Sequence, residues 1–589
     1  MGYNMKYLDQ PSNFDKYPTT PVHGCASEVY SGVKSIGNEL KERIRHGAKT
    51  IVIETYVGVD ECLLNELAEE IQPDQIIRSI DIFVDAQQME KMLKRYVTED
   101  RVYGIAYNGH WSDFVEQDRL EKAKAKLEGF NGVTLIFGVG ASYISQKDIL
   151  VYADMTIWEI QMRYRNDKIS NFNVLNHQED GIRKFKRGYF IDWRLSNRLK
   201  AQLMKTMDYY IDSVNKENPV MITRNAFEHG LETLLKQPFR TIPFFDEGLW
   251  GGQWMKEVCD VEDKSRINYA WSYNLLFQEN EVNISFDDTR VNIPGYTLCL
   301  RYPKQLIGEK GFSRFGAEYP IRYDFLDTME GGNLSLQVHP DTQYFQTNFG
   351  FHFTQDESYY FMDADERDAC MYIGLKTGAT KEDVARDLKR AAKGEISFPA
   401  EQYVNKVPVK KHDHYHIPAG TIHCAGRNTM VLEISSAPCI FTFKLWDWGR
   451  VGLDGIPRPT HIDRGLEVIQ WDKQTDWIKE TCMFDPIVTE SGEGYTEERT
   501  GLHEYEFIET RRLWTKVKVL RKTGNETHAL HLVSGREALI ESPSESFKPF
   551  VIHYAESVCI PATISQYTIR PYGESENEEI GLVTSFVRF

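Results

Sequence analysis

In the run NLSLQVHP, residues 333–340, an amide (Gln337) and an imidazole (His339) stand two positions apart. Side chains at i and i+2 of an extended strand share a face. Both groups therefore point at the same space, and Pro340 closes the strand. Downstream, Glu357 opens the aromatic run ESYYFMDA, and His423 follows IPAGTI, where Gly420 occupies a turn position that requires positive φ. An amide, two imidazoles and a carboxylate are N/O donors of the kind that hold zinc or a similar divalent ion. The chain carries sixteen histidines. On spacing alone, then, a β-barrel with hydrogen-bonded polar side chains is favoured over a metal centre.

The elements that must position them follow from periodicity. After residue 236 the sequence reads as short strands punctuated by Gly, Pro, Asn and Asp. One helical stretch interrupts it, TKEDVARDLKRAAKG (380–394), with Thr380 as N-cap and Gly394 as stop. Before residue 236, apolar runs alternate with amphipathic ones. Residues 48–57, 76–84, 102–107, 132–140 and 153–160 read as strands or buried segments, and 61–71 and 192–215 as helices. This alternation implies an α/β domain with a parallel sheet. The expected organisation is multidomain: α/β over 1–235, an all-β metal-binding region with its helical insertion over 236–490, and a further β domain over 491–589.

Composition narrows the function. With 87 acidic and 69 basic side chains, the formal net charge of −18 argues against nucleic acid or an anionic membrane as partner. No run approaches the roughly 20 apolar residues of a membrane helix, and the N-terminus lacks the pattern of a secretory signal. Nine scattered cysteines without a CxxC pair fit a reducing, cytoplasmic setting. The oligomeric state is left open.

LSLQVHPD, a downstream glutamate, IPAGTIH, LEI and KLWDWGR follow one another in an order and spacing that resemble the type I mannose-6-phosphate isomerases; LWGGQWM (249–255) is similar to their opening motif. The resemblance spans roughly residues 236–470 and implies cupin-type barrels. Carried over by position, it makes Gln337, His339, Glu357 and His423 the ligands of zinc or another divalent metal, and Ser335, Glu433 and Arg450 the polar residues of the active site. It implies interconversion of mannose 6-phosphate and fructose 6-phosphate. Two family lysines are absent, with Gln355 and Asp324 in their places, and Ser435 replaces a glutamine. Lys and Arg hold phosphates, so the substitute charge must come from another residue, with Arg322, Lys410, Lys411 and Lys444 in reach along the sequence. The alternatives are a non-catalytic, metal-containing sensor of a sugar or sugar phosphate and an isomerase of a non-phosphorylated sugar. Near the C-terminus IPATISQY mirrors IPAGTIHC, with Gln566 where His423 stands, implying a second cupin-like unit without a full ligand set.

TIVIETYVGVDECLLNELAEEI, with FGVGASYI and WEIQMRYR further on, resembles the uridine-kinase-like P-loop NTPases. The loop glycines are gone, and Glu54, Val59, Asp60 and Glu61 hold the key positions. Acidic groups there repel phosphate, so the resemblance implies a degenerate P-loop with lost or altered ATP binding and no assigned cofactor-binding residue; the alternative is an unrelated α/β scaffold.

Overall fold

The computed structural model describes residues 5–436, 441–452, 458–501 and 506–589; Cys439 lies outside them. The chain divides into two compact units. One joins Thr19–Leu234 with Phe277–Arg301, and the other joins the chain up to Pro18 with Leu235–Leu276 and Tyr302–Phe589.

The first unit is α/β. Its sheet has five parallel strands in the spatial order Gln75–Arg78, Thr134–Gly138, Thr50–Thr55, Ile149–Asp154 and Tyr209–Asp212, then Val220–Thr223 and Val29–Ser31 antiparallel at one edge. Ile51, Ile53, Leu135 and Val151 bury against Leu63, Leu64 and Leu67 of helix Glu61–Ile71. Burial on both faces accounts for their near-continuous apolar runs.

Three expectations need correction. Residues 153–160 are not one strand: strand Ile149–Asp154 ends and helix Ile157–Arg165 begins, because Thr156 caps it by accepting from the Glu159 backbone N–H at 3.4 Å. Residues 192–215 are not one helix: Trp193–Leu203 stops, and the aromatic and β-branched run Tyr209–Asp212 enters the sheet. Residues 102–107 form no strand; Ile105 N donates to Tyr96 O at 2.8 Å and Tyr107 N to Phe190 O at 2.9 Å.

The chain crosses between units near residue 235, but not once. The hairpin Glu281–Phe286/Thr289–Pro294 pairs with Thr19–Pro21 in parallel and so belongs to the α/β unit. Residues on both sides of 490 lie in one compact unit. Tyr323 Oη, for example, donates to Ala529 O at 2.9 Å and lies 2.9 Å from the Ser585 hydroxyl.

That second unit is built on antiparallel sheets. One has six strands in the order His414–Ile417, Glu357–Ala364, Thr429–Ser435, Arg322–Asp327, Trp271–Leu275 and Phe244–Asp246. Another has five, in the order Val404–Pro408, Cys370–Leu375, His423–Ala425, Leu336–Val338 and Phe443–Trp446. Sheets of six and four strands follow toward the C-terminus around Leu530, Leu532, Ile540, Ile569 and Leu582. The inserted helix is Lys381–Ala392; Thr380 accepts from Asp383 N at 3.2 Å, and Gly394 has φ +76°. Sequence reading missed helices Thr342–Phe349, Ile462–Val468 and Thr475–Thr481. No helix among the described residues is long and apolar enough to cross a membrane.

Candidate metal centre

Gln337 sits on the short strand Leu336–Val338, with His339 directly after it. In the five-stranded sheet Gln337 stands opposite His423 on one side and Lys444 on the other. Paired residues share a sheet face, so His423, Gln337 and Lys444 form one row. Glu357 starts the strand Glu357–Ala364 of the six-stranded sheet, and its carboxylate meets this row.

The turn that delivers His423 is fixed by backbone. Thr421 N donates to Pro418 O at 3.1 Å, Gly420 N to His339 O at 2.9 Å, and Gly420 has φ +83°. A side chain at Gly420 would be strained in that conformation and would approach Val468 O to 2.9 Å. Gly420 thereby ties the His423 turn to the His339 backbone.

His339, Glu357 and His423 are buried, and one ligand atom from each lies within 4.8 Å of the others. His339 Nε2 is 3.1 Å from Glu357 Oε2, and His423 Nε2 is 2.8 Å from Glu357 Oε1. Yet His339 Nε2 and Glu357 Oε1 make no hydrogen bond of acceptable geometry. The other ring nitrogens are committed. His339 Nδ1 lies 2.8 Å from Phe441 O, and His423 Nδ1 lies 2.9 Å from Thr421 O. A carbonyl only accepts, so each Nδ1 carries a proton, and in the neutral ring each Nε2, which faces Glu357, is free to ligate. This is the tautomer a metal-ligating imidazole needs, held by the outer hydrogen bond that such ligands use. The Gln337 amide lies 3.3 Å from His423 Nε2 and adds a fourth group, an uncharged one. The donor set fits a zinc-type ion.

Charge around the site is tightly organised. Burial alone would raise the Glu357 pKa, but the His339 and His423 imidazoles hold it well below the usual range. Burial opposes a charged His339, yet the Glu357 carboxylate raises its pKa. Gln355 donates from Nε2 to Glu357 Oε2 at 2.7 Å and to Glu433 Oε1 at 3.2 Å, linking the two carboxylates. Burial, then the Glu357 charge, push Glu433 up to about 7, against the pull of Arg322. Arg322, 1% exposed, ion-pairs with Asp324 at 3.0 Å and with Glu433. It is thus one of the two inward-facing candidates for the substitute charge. Lys444 is the other; it is partly buried, and burial and the Arg458 and Arg450 guanidiniums press its pKa down to about 7. Lys410 and Lys411 are exposed, and Lys411 lies over the Tyr554 ring.

Ser335 and Arg450 do not join the imidazole group. Ser335 Oγ donates to Asp447 Oδ1 at 2.7 Å, and Arg450 Nη2 reaches the same oxygen at 2.6 Å. Arg458 Nη1 reaches Asp447 Oδ2 at 3.1 Å and Ser335 Oγ at 3.3 Å. Sequence reading missed Asp447 and Arg458. Asp447 was visible inside KLWDWGR, whereas Arg458 had no motif of its own to mark it. In the C-terminal β segment Gln566 begins strand Gln566–Pro571, and among the described residues only His339, Glu357 and His423 form a His/Cys/Asp/Glu group able to hold a metal ion.

Residues 32–236 match a domain of unknown function, DUF8485. This match gives no support to the P-loop resemblance of that region. The chain is 25% identical over 236 residues to mannose-6-phosphate isomerase ManA of Bacillus subtilis, which is 40% of this chain and 68% of that protein. It is 27% identical over 236 residues to the probable mannose-6-phosphate isomerase GmuF of the same organism, 40% of this chain and 69% of that protein. Among solved structures, a zinc-bound mannose 6-phosphate isomerase aligns with 60% of this chain and all of its own (100%), at 13% identity and a TM-score of 0.45. About 40% of the chain is therefore similar in sequence to mannose-6-phosphate isomerases, and its β unit carries a His-Glu-His group able to hold a metal ion.

Proposed function

We propose that the chain is a metal-dependent aldose–ketose isomerase acting on a sugar phosphate, with mannose 6-phosphate and fructose 6-phosphate as the substrate pair. One observation carries the reading: two buried imidazoles, each with Nδ1 committed to a carbonyl, aim Nε2 at the single carboxylate of Glu357. Gln337, His339, Glu357 and His423 would hold the ion. Bound there, zinc or a similar ion supplies a Lewis acid for the sugar carbonyl.

The remaining work falls to side chains. Moving a proton between C1 and C2 requires a group that titrates near neutrality, and Glu433, at about 7, is suited to hold and return it. Gln355 and Arg322 fix its orientation. Arg450, 20% exposed in its side chain and braced by Asp447, offers a fixed cation for negative charge that develops during the reaction. Arg450→Ala is expected to lower turnover roughly 10²–10³-fold with metal content unchanged, and Arg450→Lys to recover only part, because an ammonium lacks the planar fork. A coupled assay with both hexose phosphates, before and after metal stripping, tests the reading. Stripped protein that isomerises as fast as loaded protein would refute it.

A sensor is the second reading. It is favoured by the absence of lysine at Gln355 and Asp324, since both residues are engaged with Glu433 or Arg322. Sugar phosphate binding without turnover in the loaded protein would select it.

For the α/β unit we propose a P-loop-like scaffold that has lost nucleotide binding. Asp60 occupies the N-terminus of helix Glu61–Ile71 by accepting from Cys62 N at 3.0 Å, and Glu61 pairs with Arg78 at 3.0 Å. Their negative charges stand where a phosphate would have to sit. ATP–Mg²⁺ should bind weakly or not at all; low-micromolar binding by calorimetry would reverse this assignment.

A further inference from the structure

Two guanidiniums converge on one carboxylate, Asp447, at the end of the five-stranded sheet, and Lys444 stands three residues before it on the last strand. Arg450 and Arg458 both pair with Asp447, at 2.6 and 3.1 Å, and Lys444 pairs with no carboxylate among the described residues. Among the described residues the cluster therefore sets two guanidiniums and one lysine amine against a single carboxylate. Arg458 uses only Nη1, on Asp447 and Ser335, among the described residues. A guanidinium has five N–H donors in a fixed fork, so the described residues leave a face of it for a ligand. A partly buried cation without a counter-ion is unfavourable unless something supplies the negative charge.

Position adds a second argument. Lys444 stands in register with Gln337, and Gln337 with His423, so the lysine shares their sheet face. Adjacent strands lie about 4.8 Å apart. Lys444 is two strands from His423, so its backbone is roughly 10 Å away, a separation of the order spanned by an extended six-carbon sugar phosphate. A sugar whose carbonyl end lies at the imidazoles would bring its far end to the lysine.

We propose that Lys444 and Arg458 form the subsite for the phosphate monoester of the sugar, replacing the positive charge lost at Gln355 and Asp324. Arg322 cannot serve there, because Asp324 and Glu433 already hold it. This assignment rests on the isomerase reading for the identity of the sugar, but not for the presence of the anion subsite.

The test is calorimetric, on the full metal-loaded chain, with fructose 6-phosphate, inorganic phosphate and fructose as probes. Lys444→Met and Arg458→Gln are each expected to weaken fructose 6-phosphate and inorganic phosphate roughly 10–100-fold, the loss of one charge-assisted contact. Metal content and affinity for fructose should stay within about twofold in the same samples. Circular dichroism confirms folding, and Lys444→Arg, which keeps the charge, should restore most of the phosphate affinity. Unchanged phosphate affinity in both neutral variants overturns the subsite, as does wild-type protein that binds neither phosphate probe. If fructose 6-phosphate binds through Lys444 but is never converted, the subsite stands and the isomerase reading falls. If the wild type isomerises and both variants keep its KM, the isomerase reading stands and the subsite falls.

Discussion

Glu357→Gln is expected to empty the metal centre. The carboxylate is the only negative charge among His339, Glu357 and His423, and it is completely buried. A neutral amide cannot offset the charge of a divalent ion in a site that excludes water. Loss of an outer hydrogen-bond partner typically lowers metal affinity about 10–100-fold, and loss of a direct ligand should exceed that. His339→Ala and His423→Ala should each lower occupancy too, since each removes one of two imidazole donors. Elemental analysis of purified, folded variants measures this directly. Wild-type metal content in all three would remove these residues from any metal site.

Arg322→Met should strongly destabilise the β unit. The guanidinium is buried between Asp324 and Glu433. Removing one partner of a buried ion pair strands the others and typically costs about 3–5 kcal/mol. Here two carboxylates are left facing each other, since Asp324 and Glu433 are direct neighbours across their strands. Their repulsion adds to the cost unless one takes up a proton. Glu433 is the one that would, because burial and Glu357 already raise its pKa. Neutralising the acids as well, in Arg322→Met/Asp324→Asn/Glu433→Gln, should recover much of the loss, because buried ion pairs contribute little beyond their own desolvation. Urea unfolding followed by tryptophan fluorescence is the measurement. A wild-type midpoint for Arg322→Met, or no recovery in the triple variant, would show that the cluster is not held by charge.

Much of this was legible in the sequence. The i, i+2 spacing of Gln337 and His339 forces a common face on any strand, and Gly420 announced a positive-φ turn before His423. Thr380 and Gly394 bounded the inserted helix correctly, because capping is a local interaction between residues a few positions apart. The α/β class followed from the alternation of runs, although Thr156 was overlooked as a cap and a helix was read as strand.

Tertiary structure decided the rest, because the missing information lay between residues far apart in sequence. Glu357 meets the imidazoles only because two different sheets face one another there. Which basic residue turns inward was undecidable from sequence. Lys444 does so because strand register sets it opposite Gln337, whereas Lys410 and Lys411 are left in solvent. A one-residue shift of that register would have reversed its side-chain direction. The hairpin at 281–294 joined the α/β unit through pairing with Thr19–Pro21, a contact no local pattern encodes. The sequence by itself thus determined the donor types, their local spacing and the turns that present them, since these depend on backbone preferences over a few residues. Only the tertiary structure decided which charges meet, which are buried and so which pKa values move, because pairing and desolvation depend on distances that the folded sheets alone establish.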